Sequence, residues 1–190
     1  MRIALFVDGP SDRDTLKIVA RKLLAGRTPT PGLEFRVLPR GDFFSPVKVS
    51  AYLRDLHRTH PDATKAILCL DCECTPVEDI QPKLLAVQEQ TRLEHPSLNP
   101  TFVLKVHALE GWLASDQEAL RAVLGTHPAP FPKPETACKP KELLATVFKK
   151  ANREFDYMRD DPRIAQAVDI DRLCQSSPSF SQFRNAIEDP

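Results

Sequence analysis

Short apolar runs alternate along the first half of the chain with longer stretches in which apolar residues recur every three or four positions. Ile3 to Val7 is the first run, closed by Asp8-Gly9-Pro10, and reads as a strand followed by a turn. Asp12 to Leu24 then carries Leu16, Val19, Ala20, Leu23 and Leu24 at helical spacing, with Ser11 and Asp14 close to a capping box at its start. Leu33 to Leu38 reads as a second strand. Ser45-Pro46 looks like an N-cap with proline at the first helical position, opening a helix through Leu56. Ala66 to Leu70 is the third strand and Thr101 to Val106 the fourth. Between them a helix spans Ile80 to Leu93, with Pro82 placed in its first turn.

These apolar runs are nearly continuous, as in strands covered on both sides, and no tight hairpin signal joins them. The pattern predicts an α/β fold, a mostly parallel sheet flanked by helices. After the fourth strand the periodicity is helical. Leu109 to Leu124 and Lys141 to Phe155 read as helices, with shorter ones around Pro162 to Ala167 and Pro178 to Ile187. Gly125 to Pro140, rich in proline, reads as an extended connection. The expected organisation is an α/β core over 1–124 and a helical C-terminal extension over 125–190 packed on it, a single domain overall.

A chain of 190 residues is enough for one core. Its formal net charge is zero, so no global positive field advertises nucleic acid, and any basic surface must be local. The stretch Lys133, Lys139, Lys141, Lys149, Lys150 and Arg153 could follow a phosphate backbone. With Glu135 and Glu142 interspersed, it reads equally as a solvated face. No apolar stretch approaches the roughly 20 residues that span a bilayer, so no membrane partner is expected. The opening MRIALFVD meets an aspartate too soon for a signal peptide. Five scattered cysteines fit a reducing cytoplasm. Cys69, Cys72 and Cys74 include a Cys-x-x-Cys spacing, but no second pair completes a zinc site, so they read as core or incidental thiols.

The candidate chemistry lies at strand ends. In open parallel sheets, ligands bind beyond the carboxyl ends of the strands, where Asp8, Asp71 and Glu73 are all expected; Glu110 and then Asp116 follow the fourth strand. Residues 71 and 73 are two apart, so in extended chain their carboxylates point the same way and could share one ion. Hard carboxylate oxygens suit Mg²⁺ or Mn²⁺. The alternative is that these acids are loop groups or helix caps. Lys48 is a candidate to stabilise phosphate charge, although a lysine on an amphipathic helix usually faces water. Trp112 reads as a core anchor. No Ser/His/Asp elbow and no glycine-rich phosphate loop is present.

The order strand, acid-Gly-x-Ser-Asp, helix, then strand, Asp-x-acid, resembles the Toprim domain of topoisomerases, DnaG-type primases and OLD-type nucleases. Three more segments are similar to signatures of a bacterial Toprim-like family, domain of unknown function 4276. They are His107 to Asp116 (Glu-x-Trp-Leu-x-x-Asp), Lys139 to Leu144 (Pro-Lys-x-x-Leu) and Ser176 to Phe183 (Ser-Pro-Ser-Phe-x-x-Phe). The resemblance implies a Toprim-like core with Mg²⁺ at its acidic edge and a nuclease acting on nucleic acid, most readily DNA. It further implies work in phage or foreign-DNA defence beside an ATPase partner. Asp8 stands where Toprim domains usually carry glutamate, and Glu73 where they carry the second aspartate. On this reading Asp71 and Glu73 bind metal, Asp8 serves as ligand or base, Glu110 is a further ligand, and Lys48 assists. One or two Mg²⁺ ions would stabilise the attacking and leaving oxygens of phosphodiester hydrolysis. Two rivals stand beside it. One is a catalytically silent Toprim-like module that binds nucleic acid or an ATPase. The other is a receiver-like phosphoacceptor built on Asp8, Asp71 and Lys105.

Overall fold

A computed structural model describes residues 1–128, 133 and 137–189. Its strands β1 (Arg2–Val7), β2 (Gly32–Val37), β3 (Ala63–Asp71) and β4 (Thr101–Lys105) form one sheet in the order β2-β1-β3-β4, with every neighbouring pair parallel. Side chains alternate across the pleat, so each strand feeds two cores. Ile3, Leu5, Val7, Ile67, Cys69 and Val103 pack on one face. That face is covered by α1 (Pro10–Leu23) and by six later helices: α4 (Leu109–Ala114), α5 (Gln117–Leu124), α6 (Pro140–Lys150), α7 (Tyr157–Ala167), α8 (Ile170–Ser176) and α9 (Pro178–Glu188). Ala4, Phe6, Ala66, Leu68, Leu70 and Leu104 pack on the other face, beneath α2 (Pro46–Thr59) and α3 (Val77–Glu94). Burial on both faces explains why the apolar runs are continuous.

The chain leaves β1 through α1 toward β2, but leaves β3 through α3 toward β4, on the opposite side. The reversal opens a crevice beyond the carboxyl ends of β1 and β3, the usual place for a ligand in such sheets. The helical second half joins the same core. Trp112 on α4 is 1 % exposed, donates its indole N–H to Ser179 Oγ at 2.6 Å, and meets the rings of Phe180 and Phe183 at 5.3 Å each. The tryptophan and Ser-Pro-Ser-Phe segments are therefore two halves of one packing contact, and Trp112 is the core anchor its size suggests.

Several boundaries differ from the sequence pattern, each for a local reason. Helix α1 begins at Pro10, whose fixed φ suits a first helical position; Gly9 is its N-cap, and Ser11 bonds Asp12 instead of capping. Pro82 lies a turn deeper in α3 than expected, where it removes the bond its N–H would give to the Glu78 carbonyl. The stretch Leu109 to Leu124 is two helices, because the Asp116 carboxylate accepts the N–H groups of Glu118 and Ala119 and starts α5 afresh. Helix α6 stops at Lys150, just before Asn152 turns to φ 54°, and does not reach Phe155. Helix α8, capped by Asp169, and the 3₁₀ turn Arg40–Phe44 carried no clear periodicity. Of the connection between Gly125 and Pro140, Pro130, Pro132, Pro134 and Glu135 lie outside the described residues.

Candidate metal centre

Each strand that borders the crevice ends in a charge. Asp8 is the first residue beyond β1, Asp71 the last of β3 and Lys105 the last of β4. The sharp Gly9-Pro10 entry into α1 brings Asp12, in the helix's first turn, back over the strand ends. Asp8, Asp12 and Asp71 each present a carboxylate oxygen, all within 4.8 Å of one another. The fully buried Lys105 ammonium lies 2.8 Å from Asp71 Oδ1 and 3.5 Å from Asp8 Oδ1, and donates to Asp12 Oδ2. The Asp71 N–H donates to Asp8 Oδ2 at 3.1 Å, fixing those two carboxylates relative to each other. At the rim, Arg40 donates to the Asp71 carbonyl and stands 3.7 Å from Asp8 Oδ2.

The electrostatics follow from crowding like charges in a partly dry place. Burial, reinforced by Asp8 and Asp12, pushes the Asp71 carboxyl up to about 7 despite the Lys105 ammonium beside it. Burial alone would lower Lys105, but Asp71, Asp12 and Asp8 outweigh it and hold the ammonium well above its usual value. Lys105 is thus a permanent cation. Once Asp71 ionises, three carboxylates face the Lys105 ammonium and the Arg40 guanidinium at the rim, leaving a negative excess that a cation would offset. An all-carboxylate oxygen set within 4.8 Å suits Mg²⁺ or Mn²⁺ in kind and spacing.

The structure distributes the other candidate residues differently. Glu73 does not join the triad. Strand β3 ends at Asp71, and Glu73 turns to φ 52°, held by its N–H to the His107 carbonyl at 2.8 Å and by His107 Nδ1 against its own carbonyl at 2.6 Å. The two-residue spacing therefore no longer aligns its carboxylate with that of Asp71; the side chain is 66 % exposed, 4.0 Å from Arg40. Glu110 is buried on α4 outside the triad, 3.1 Å from Lys141. Lys48 pairs with Asp42 at 2.6 Å and does not reach the crevice. Asp116 is an N-cap whose carboxylate is forked by Arg172.

Asp12 is the residue that strand-end reasoning missed, because it lies in the first turn of α1 and not at a strand end. Its spacing of four from Asp8 across a Gly-Pro entry was the available signal. Lys105 was visible only as a strand-end lysine. Asp8, Asp12, Asp71, Glu73 and Glu110 all line one cavity of about 500 Å³, together with Lys139 and Lys141 at the start of α6. The basic stretch is thereby split, since Lys149 and Lys150 lie in the last turn of α6.

The cysteines also need a correction. Cys69 is a buried core thiol, pushed up to about 12 by burial, and Cys72 is buried in the core on the sheet's other face. Cys74, by contrast, is not an incidental thiol. It forms a disulfide with Cys138, Cα–Cα 4.9 Å apart, tying the loop after β3 to the entry of α6 across the cavity wall. The partners are 64 residues apart, with no spacing motif to announce them. Among the described residues, no helix is long and apolar enough to cross a membrane.

A family model described as a domain of unknown function, DUF4276, matches residues 7–188. No curated protein and no solved structure matches the chain.

Proposed function

The chain belongs to the DUF4276 family, and from that premise and the acidic crevice we propose a divalent-metal-dependent phosphodiesterase that cleaves nucleic acid. The observation that carries this reading is the convergence of Asp8, Asp12 and Asp71 at the reversal point of a parallel sheet. When bound there, Mg²⁺ or Mn²⁺ would supply Lewis-acid polarisation of a phosphoryl oxygen. The chain's own residues set the stage for it. Lys105 keeps the three carboxylates together from beneath and, being buried, does not meet substrate. Lys139 and Lys141 line the same cavity, paired with Glu142 and Glu110, and would hold the phosphate backbone by exchanging those partners for it. Arg40, beside Asp8, is placed to neutralise charge developing at the rim. The Cys74–Cys138 disulfide argues against the reducing cytoplasm that the scattered cysteines suggested; kinship with Toprim domains, an ATPase partner and a role in phage or foreign-DNA defence belong to the same proposal. They are supported by the motif order around Asp8 and Asp71.

The test is incubation with plasmid and single-stranded substrates in Mg²⁺ or Mn²⁺, alone and with an ATPase encoded beside it. Cleavage that disappears in Asp71→Asn supports the proposal. Retained metal binding without cleavage under either condition favours a silent binding module. A receiver-like phosphoacceptor is favoured by a different detail, the Lys105 ammonium against Asp71 with two acids after β1. Gain of one phosphoryl group at Asp71 on treatment with acetyl phosphate would select it.

A further inference from the structure

Hydrolysis of a phosphodiester gains from a group that takes the proton of the attacking water. The acids that line the cavity are all engaged by basic side chains. Asp8, Asp12 and Asp71 share Lys105, Glu73 lies against Arg40, Glu110 against Lys141 and Glu142 against Lys139. Asp8, the base that the resemblance implied, has Oδ2 taken by the Asp71 N–H and Arg40, and Oδ1 facing Lys105. Cys74 and Cys138 are bonded to each other. The lining holds one further proton acceptor, the imidazole of His107.

His107 is fixed from several sides. It lies two residues beyond β4 and Lys105, at φ 63°, a left-handed conformation uncommon outside glycine. Its carbonyl accepts the Glu73 N–H at 2.8 Å, and its own N–H donates to Cys72 Sγ at 2.8 Å. Its ring meets the Glu73 carbonyl through Nδ1 at 2.6 Å. A carbonyl oxygen only accepts, so Nδ1 carries the proton, and in the neutral ring the lone pair is on Nε2. That nitrogen has no partner among the described residues and is not shut off from solvent. The clasp thus sets the tautomer and leaves the basic atom free, the arrangement of a base oriented by a third group.

We propose that His107 is the general base of the hydrolysis, its Nε2 taking a proton from the water that attacks phosphorus. The inference rests on the phosphodiesterase reading and adds to it a residue for proton transfer. As the water oxygen bonds to phosphorus, one of its protons passes to Nε2 and the ring becomes an imidazolium. The bond from phosphorus to the leaving oxygen breaks with its electron pair. The leaving alkoxide takes a proton from solvent, and the imidazolium gives its own back to solvent, so nothing is oxidised or reduced. Glu73, which stands outside the triad, acts here through its backbone: its carbonyl holds Nδ1–H and keeps the ring from turning.

The experiment compares wild type, His107→Gly and Asp71→Asn on plasmid and single-stranded DNA in Mn²⁺. Glycine accepts a positive φ readily, so His107→Gly keeps the turn and vacates the ring. It should lower kcat by about 100- to 10,000-fold, with KM and Mn²⁺ affinity at their wild-type values. Added imidazole should restore part of the rate, and substituted imidazoles should restore it in order of their basicity, which a ring that only packs would not do. Should melting curves show that His107→Gly does not fold, His107→Asn, also suited to a left-handed turn, carries the comparison of rate and Mn²⁺ affinity. Unchanged kcat, a rate loss that no imidazole restores, or a fall in Mn²⁺ affinity would overturn His107 as the base. With cleavage by the wild type abolished in Asp71→Asn, any of these leaves the phosphodiesterase reading standing. A wild type that cuts neither substrate, alone or with the ATPase, overturns that reading and the base together.

Discussion

Asp116 and Asp71 are both aspartates enclosed by this fold and held by a basic side chain, yet their surroundings are opposite in kind. Asp116 receives the N–H groups of Glu118, Ala119 and Asp169 and both arms of Arg172. Burial alone would raise its carboxyl, but Arg172 and the backbone donors hold it below the usual range. Asp71 shares the single Lys105 ammonium with two further acids, and burial pushes it up to about 7. Where an acid serves structure, the chain saturates it. At the strand ends it leaves a deficit of positive charge, as expected of a place that waits for a ligand.

The sharpest way to break the contrast is Lys105→Met. It would leave three acids without their buried counterion and should cost about 3–5 kcal/mol in urea unfolding without metal. Added Mg²⁺ should recover part of that loss; no recovery would mean the triad does not hold the ion. Next in size is Asp71→Asn. Even residues outside the ligand set alter metal affinity by about 10–100-fold, so losing a ligand should weaken Mn²⁺ binding by at least about 100-fold, read by calorimetry, without loss of thermal stability. Asp116→Ala should do the reverse. Losing a cap and its buried hydrogen bonds should cost at least about 2 kcal/mol, with Mn²⁺ affinity of the folded protein unchanged.

A smaller effect comes from pH. Without metal, the Asp71 carboxyl keeps its proton below about 7, and only the carboxylate binds a cation. Affinity should therefore be full above that value and fall about tenfold for each pH unit below it. Equal Mn²⁺ affinity at the two ends of that range, measured by calorimetry, would contradict the raised value. The smallest effect is expected of Lys48→Ala. Its ammonium is engaged with Asp42 outside the cavity, so neither metal affinity nor cleavage should change.

The sheet was legible in advance because its signal is local. Four apolar runs bounded by turn residues gave four parallel strands, and each ended within a few residues of its expected place. Asp8 and Asp71 could be placed for the same reason, since a strand end is a local feature. Glu73 could not, because its direction is set by His107, a residue 34 positions away that clasps the loop into a left-handed turn. Asp12 and Lys105 come together only through packing of α1 against the sheet, which no window of sequence contains. The Cys74–Cys138 bond is likewise a long-range pairing. In the family-like segments Trp112 and Phe180 meet in the core, while Glu110 and His107 of the first segment line the cavity.

The central claim is that three aspartates from β1, α1 and β3 share a divalent ion above Lys105. Crystals soaked in Mn²⁺ and measured at its absorption edge test it most directly. An anomalous peak within bonding distance of the Asp8, Asp12 and Asp71 carboxylates is the predicted result. Ordered carboxylates closed on the Lys105 ammonium, with no peak beside them at saturating Mn²⁺, would contradict it.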